Sequence, residues 1–274
     1  ASVHVAPPGR QALAMNVKQV GVTAGSAVSA ILVTRLAVSD AAAVLGVIRF
    51  DWQAAFLAGE VLAVGVAAVT ALRYEGKPAG GELSVPDVRS LLDKRAYRGL
   101  LVSGFFLGAA VFTTTSYVVP HVTDSVAATA GVAGAVLATV QVTGSLGRLV
   151  GGELADRLPG RPTRGPAIVL TAQAALASVG FLAVVAARGE TATWAAFGFL
   201  GLFMLGFPGV YYATMTAMVD DDEVGAATAG GQTALNAGGL LAPPLFGAVA
   251  ERAGYDVGWT AVAALTAIAA VAIW

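Results

Sequence analysis

The sequence predicts an all-α protein that crosses a membrane several times. Hydrophobic residues make up 57% of the 274 positions and charged residues only 12%, about half the share that is usual in a soluble domain. The apolar runs are continuous and rich in Ala, Leu and Gly, whereas the strands of a membrane barrel would alternate apolar and polar residues. Runs of this length cross about 30 Å of hydrocarbon as helices, which satisfy their own backbone hydrogen bonds there.

Eight apolar segments are long enough to be spanning helices. The first is the least apolar, because Thr23, Ser26 and Ser29 dilute it. Trp52 opens the second, and an indole ring suits the membrane interface. The eight predicted spans cover residues 16–34, 52–72, 99–119, 126–150, 165–187, 194–218, 226–249 and 257–274.

One long polar segment divides these spans into two groups. Residues 73–98 carry six basic residues together with glycines and two prolines, a composition typical of a linker between helical domains. We therefore predict two helices of a first bundle in residues 1–75, a linker in residues 76–98, and a six-helix bundle in residues 99–274.

The distribution of Lys and Arg predicts the orientation. If the linker is cytoplasmic, alternation of the spans puts twelve basic residues on the cytoplasmic side and four outside. This bias matches the positive-inside rule. The 76–98 linker and the 151–164 loop are therefore expected in the cytoplasm, and the chain is expected to be a multi-pass protein of the cell membrane.

The most informative stretch is the turn between the fourth and fifth predicted spans. Its glycines permit close helix packing, its Pro159-Gly160 pair favours a chain reversal, and four arginines lie at this one membrane face. The stretch resembles the signature loop of the major facilitator superfamily of transporters, which reads roughly G-x-L-x-D-R-x-G-R-R. The matching positions are Gly152, Leu154, Asp156, Arg157, Gly160 and Arg161, with Pro159 as one extra residue.

The resemblance extends over nearly the whole chain. Residues 19–25 and 51–56 are similar to the family's fifth helix and the start of its sixth, and residues 230–239 and 243–247 to its eleventh. It implies two six-helix bundles with solute bound between them. On this alignment the chain holds about eight of twelve helices. Because it begins at Ala1, we expect the other four upstream or in a separate chain.

The resemblance also implies a conformational latch at the cytoplasmic face. Physically, Asp156 at a helix end would pair with an arginine and face the start of a neighbouring helix, which stabilises one arrangement of the bundles over the other. A simpler interpretation is that the arginines only fix orientation. The latch residues are Gly152, Asp156, Arg157, Gly160 and Arg161.

Several ionisable residues inside or near the spans need an explanation. Glu60 lies deep in the second span, where a carboxyl is costly; it is either a proton site or a carboxyl wetted at the interface. Arg148 and Glu153 lie towards one end of their helix, where structural ion pairs explain them better than substrate binding. His121 follows Pro120 and is expected to be solvated in an outer loop.

Polar and aromatic residues near the middle of the spans are candidates for a substrate path. A binding cleft needs a few convergent polar groups on mostly apolar walls, although such residues also serve as ordinary interhelical hydrogen-bonding groups. Pro208 can break its helix within this set. The candidate path residues are Thr113, Tyr117, Gln141, Phe207, Tyr211, Gln232 and Asn236.

These features predict a secondary-active transporter that moves a small solute by alternating access. The energy source would be a proton or solute gradient, with uniport as the uncoupled alternative. The scarcity of mid-membrane charge favours a neutral or apolar solute, such as an exported drug-like compound. The rival from another class is a non-transporting membrane scaffold or a truncated transporter remnant.

Other function classes find no support in the sequence. There is no phosphate-binding P-loop, no serine nucleophile elbow and no zinc-type histidine pair, so neither ATP hydrolysis nor enzymatic catalysis is expected. Cysteine is absent and the net charge is -1, which gives no basis for a thiolate metal site or a nucleic-acid partner. We expect no cofactor and no metal, and partners limited to the solute, a proton and the lipid bilayer, with a monomer as the simplest assembly.

Overall fold

The computed structural model describes residues 9–38, 52–73 and 88–274, and the described residues form helices joined by short turns. Most of the predicted 76–98 linker and of the connector before Trp52 lies outside these ranges. The helices are α1 (Gln11–Val38), α2 (Trp52–Arg73), α3 (Val88–Asp93), α4 (Arg95–Ser125), α5 (Ala130–Arg157), α6 (Arg164–Ala186), α7 (Glu190–Met204), α8 (Pro208–Thr216), α9 (Val224–Ala253) and α10 (Tyr255–Ala272).

The described helices agree with the predicted spans. With α7 and α8 taken as one interrupted span, eight long helices correspond to the eight predicted segments. Among the described residues, six of these, from α4 to α10, are long and apolar enough to cross a membrane. The all-α membrane class is therefore confirmed.

The interruption between α7 and α8 occurs at Pro208. The span Glu190–Thr216 is helical except at residues 205–207, and α8 begins at Pro208 itself. Proline has no N–H to donate to the preceding turn, and its ring clashes there. The break exposes backbone carbonyls in the middle of a span, where they need other partners.

Helix α4 runs further than expected and corrects the interpretation of its end. The prediction ended this span before Pro120, but the helix continues through that proline to Ser125. His121 therefore lies inside a helix and is only 5% exposed, so the expected solvated loop position is wrong. Threonine side chains bond nearby carbonyls, as Thr123 does with the carbonyl oxygen of Pro120 at 3.0 Å.

The packing of α1 positions the candidate site. Helix α1 lies against α5 and also contacts α8, while α4 packs on α9 and α10, and α6 on α7 and α10. The α4–α9 contact is close because Gly108 and Gly238 meet the partner's backbone, where a Cβ at either position would overlap it. In contrast, the side chains described for residues 59–73 of α2 are all exposed.

Candidate latch and solute cavity

The Asp156 carboxylate caps the first turn of α1. It lies in the last turn of α5 and accepts the backbone N–H groups of Ala12 at 3.0 Å and Leu13 at 2.8 Å. The first N–H groups of a helix have no partner within the helix, and they carry its positive dipole end. One carboxylate therefore satisfies two such donors of a helix that precedes it by more than 140 residues.

Gly152 allows α1 to approach α5 at this cap. A Cβ on Gly152 would lie 2.8 Å from the Cα of Leu13 and 3.1 Å from the carbonyl oxygen of Ala12. On the opposite side, a Cβ on Gly209 of α8 would lie 2.7 Å from the Cα of Asn16. Asn16 is fully buried between these helices, so the start of α1 is held between two glycine surfaces.

Asn16 is a site residue that the sequence did not point to. Its amide donates to the carbonyl oxygen of Ala12 at 2.9 Å. Its Oδ1 is buried and has no hydrogen-bond partner among the described residues. Only the packing of α1 against α5 and α8 makes this otherwise ordinary polar residue notable.

The remaining predicted latch residues surround the cap without contacting α1 through ion pairs. Arg157 binds Glu153 one helical turn earlier, with 2.7 Å between Nη2 and Oε1, and is 75% exposed on its side chain. Gly160 has φ +128° and reverses the chain between α5 and α6. Arg161 and Asp156 both line a cavity of about 340 Å³ beside the cap.

A second cavity lies between α1 and the six-helix bundle and is called the Arg148 cavity here. Its volume is about 220 Å³. Helix α1 contributes Gln19, Val22, Thr23 and Ser26, and the walls are otherwise built by α4, α5, the α7–α8 break, α8 and α9. The other lining residues are Val111, Phe112, Thr115, Gln141, Arg148, Leu205, Phe207, Pro208, Tyr212, Gln232 and Leu235.

Three of the seven predicted path residues line this cavity, namely Gln141, Phe207 and Gln232. Asn236 lies next to it and accepts the Gln232 amide at 2.9 Å. The other three lie elsewhere in the bundle. Tyr211 is buried and donates to the carbonyl oxygen of Leu100, Thr113 is buried with no bond to its hydroxyl among the described residues, and Tyr117 packs on Phe246.

Arg148 is the charged residue of this cavity. It is 4% exposed and lies about 14 Å from the end of α5 at Arg157, since each residue adds about 1.5 Å. Its Nε donates to the carbonyl oxygen of Leu205 at 2.8 Å, and its Nη1 donates to the backbone and side-chain oxygens of Gln19. All of these acceptors are neutral.

The structural ion pair expected for Glu153 is present, whereas the one expected for Arg148 is not found among the described residues. Glu153 does form one, with Arg157. Within the described ranges no carboxylate oxygen lies within 4.0 Å of the Arg148 guanidinium, so the ion-pair interpretation of Arg148 is wrong there. The α7–α8 break, which exposes the Leu205 carbonyl, supplies a neutral partner instead.

Glu60 lies away from the Arg148 cavity. It is on α2, exposed like its described neighbours, and does not line the cavity. His121 also lies elsewhere, beside a cavity of about 480 Å³ at the other end of the bundle. Its Nδ1 accepts the Trp259 indole N–H at 3.2 Å.

The fold and the two sites together indicate a class of protein. Among the described residues, a bundle of six helices long and apolar enough to cross a membrane borders a small open cavity with a buried charge, and the neighbouring helix α1 is held beside it by a cap. Secondary transporters have a comparable plan, in which substrates bind near the membrane midplane between helical repeats.

Comparison with known proteins supports this class. The family model of the Major Facilitator Superfamily matches residues 100–274. The E. coli fucose:proton symporter FucP has a similar fold, with a TM-score of 0.74 and 17% identity over 99% of this chain and 70% of that chain. A second structure of FucP, in the outward conformation, gives a TM-score of 0.69 and 18% identity over the same shares. No curated protein sequence matches.

The family match covers well over half of the chain, and the chain therefore belongs to the Major Facilitator Superfamily. It is an integral, multi-pass membrane protein of a family of secondary transporters rather than enzymes. The likeness to FucP establishes the fold; the sugar and the proton in that name describe FucP.

Proposed function

We propose that this protein moves a small solute across the cell membrane by alternating access, using the Arg148 cavity as part of its solute path. The observation that carries the proposal is the cap at α1, because it joins the two groups of helices by contacts that one rigid-body rotation would break. The two N–H groups of α1 are satisfied by Asp156 only while the helices stay together on that side. Alternating access needs such a contact in one of its states and not in the other.

The proposed latch acts by a charge-dipole and hydrogen-bond contact. The Asp156 carboxylate stabilises the positive end of α1, and Gly152 permits the approach. We place this contact at the cytoplasmic face, because the basic residues of the linker and of the loop around Arg161 favour that side. The closed latch would then correspond to a state that opens outward.

The proposed path joins the Arg148 cavity to its polar neighbours. Gln141, Gln232 and Tyr212 are polar groups on walls that are otherwise largely apolar, with Tyr212 donating to Gln232, and small-molecule sites commonly combine such groups. Its position between α1 and the six-helix bundle means that separation of these elements would open it. Because the cavity lies between these elements, we also propose that residues 1–75 belong to a first bundle and residues 99–274 to a second.

We propose Glu60 as a proton site that couples transport to a gradient. Its support is its place within an apolar span, where ionisable residues are costly and usually functional. In vesicles, Glu60→Gln is expected to abolish a solute-dependent pH change, while the exposed Glu251→Gln keeps it. If solute uptake by the unaltered protein does not depend on pH, the transport proposal stands and the proposal of proton coupling is refuted.

The alternative is a membrane scaffold with no transport. Proteoliposomes containing the full-length protein separate the two, with Asp156→Ala and Glu153→Gln as a matched pair of carboxylate changes one helical turn apart. If the protein is a transporter with this latch, Asp156→Ala is expected to lower the uptake rate at least about tenfold at equal protein content. Glu153→Gln is expected to change it less than about twofold. Equal uptake per molecule in both variants would contradict the latch, and no uptake of any solute by the unaltered protein would favour the scaffold.

A further inference from the structure

We propose that the Arg148 cavity binds a small organic monoanion, with the Arg148 guanidinium holding its carboxylate and the apolar walls holding its body. The inference rests on the proposed transport function, because it names the class of solute for that cavity. It replaces the neutral solute that composition alone favours, since the charged residue among the described lining of this cavity is a buried cation.

The charge balance of the cavity carries the argument. A buried guanidinium without a counterion is costly, and buried charges are normally paired with an opposite charge. None of the described residues that line the cavity is Asp or Glu. Within the described part of the chain, Arg148 donates hydrogen bonds only to oxygens of Leu205 and Gln19, which hold its direction but do not neutralise it.

The hydrogen-bonding capacity of Arg148 is also incompletely used. A guanidinium has five N–H donors in a planar fork. The described bonds use Nε and Nη1, and none of them uses Nη2. A carboxylate accepts two parallel N–H groups from such a fork, which is stronger and more directional than a bond to a neutral carbonyl.

The remaining walls select the rest of the ligand. Val22, Val111, Phe112, Phe207 and Leu235 line the cavity on the apolar side. The volume of about 220 Å³ is below the roughly 300–1,000 Å³ that is common for ligand sites. A small apolar or aromatic group attached to one carboxylate fits this combination better than a sugar or a multiply charged anion.

The test measures binding by calorimetry on the purified full-length protein with four probes. Isobutyrate and benzoate are the carboxylates, benzamide is the neutral match to benzoate, and phenylphosphonate is the other oxyanion. At least one carboxylate is expected to bind, with benzoate at least about tenfold tighter than benzamide, because only the anion forms the charge-assisted pair. Equal binding of benzamide, tighter binding of phenylphosphonate than of both carboxylates, or no binding of either carboxylate would overturn the assignment.

A variant that keeps Arg148 distinguishes loss of the anion site from loss of folding. Gln19→Glu places a carboxylate where an oxygen already lies 3.4 Å from Nη1, so it supplies an internal counterion of nearly the same shape. It is expected to weaken carboxylate binding at least about tenfold without lowering the melting temperature. Arg148→Gln should weaken binding similarly, and the exposed Arg95→Gln should change it less than twofold. Unchanged binding in Gln19→Glu would refute the anion site.

Uptake by proteoliposomes separates this inference from the proposed function. Carboxylates that bind through Arg148 but are never taken up would leave the anion site standing and refute transport. Uptake of a neutral solute at an unchanged rate in Arg148→Gln would support transport and refute the anion site.

Discussion

The Asp156 carboxylate lies 2.8 Å from the amide nitrogen of Leu13, so the last turn of α5 caps the first turn of α1. The same carboxylate binds the neighbouring N–H of Ala12 through its other oxygen. A residue of the six-helix bundle thus provides the cap that α1 lacks in its own sequence, since no acidic residue lies in its first turn. The stability of this helix start depends on the position of α1 against α5.

Removal of this cap is expected to shift the arrangement of α1 against α5. Asp156→Ala loses a helix cap of about 1 to 2 kcal/mol, which changes a population ratio roughly 5- to 30-fold. The chain contains no cysteine, so spin labels at Lys18→Cys and Leu154→Cys report the distance between the two helices. A second, longer distance is expected to gain population in Asp156→Ala.

The control for the cap is the neighbouring carboxylate. Glu153→Gln removes only the exposed pair with Arg157, which is worth about 0.3 to 0.5 kcal/mol in a helix. Its distance distribution is expected to match that of the unaltered protein. An identical distribution in Asp156→Ala would mean that the cap does not control the arrangement.

Gly152→Ala is expected to lower the melting temperature by overpacking the α1–α5 contact. The added Cβ would lie 2.8 Å from the Cα of Leu13, a backbone atom that cannot move aside cheaply. Overpacking of this kind costs about 1 to 3 kcal/mol. Gly225→Ala is the matched control, because its Cβ would have no atom within 4 Å and a helix favours Ala over Gly. Equal melting temperatures for the two variants would argue against close packing at Gly152.

Trp259→Phe is expected to destabilise the end of the bundle around His121. The Trp259 side chain is fully buried, stacks 5.7 Å from Phe181 and donates its indole N–H to His121. Phenylalanine is smaller and leaves the His121 Nδ1 without its donor, at a cost of about 1 to 3 kcal/mol. Thermal unfolding in detergent measures the loss.

Trp274→Phe serves as the control for this tryptophan. Trp274 also donates its indole N–H, to Thr171 at 3.0 Å, but it is 66% exposed. Exposed changes are usually within about 0.5 kcal/mol, so its melting temperature should stay close to that of the unaltered protein. Similar losses in both variants would show that burial at Trp259 is not the cause.

The contact between Lys94 and Glu223 is expected to make stability depend on acidity. The Lys94 ammonium lies 2.7 Å from the Glu223 carboxylate. Its hydrogen bond lowers the pKa of Glu223 below the ordinary value of 4.5, helped by the backbone N–H of Asp220. A lowered folded-state pKa means that the contribution is complete above the unfolded-state pKa and is lost as the pH falls through the folded-state pKa.

Melting temperatures measured from pH 7 to about pH 3 test this dependence. Glu223→Gln is expected to melt below the unaltered protein at pH 7, with the difference disappearing at acid pH and shrinking in concentrated salt. Asp221→Asn, an exposed change in the same turn, should follow the unaltered protein throughout. A constant difference for Glu223→Gln at every pH would exclude titration of this pair as its cause.

The predicted site divides into a part that local sequence reveals and a part that depends on packing. The loop at Gly152, Asp156 and Gly160 is recognisable because its residue types occur at fixed spacing within one segment. Arg148 is visible in the sequence as well, but the nature of its partners is not. The partners of this buried arginine are the backbone carbonyl oxygens of Gln19 and Leu205, which are far from it in the chain.

The sequence by itself determined the membrane class, the positions of the long apolar helices and the location of the signature loop. These follow from the length of the apolar runs and from the residues that stop a helix, both of which are local properties. Only the tertiary structure decided that the helix start capped by Asp156 is that of α1, that His121 is buried, and that Arg148 faces a cavity with no carboxylate among its described lining residues. The reason is that helices in lipid pair through small-residue contacts and a few hydrogen bonds, and a hydrophobic pattern does not specify which partners meet.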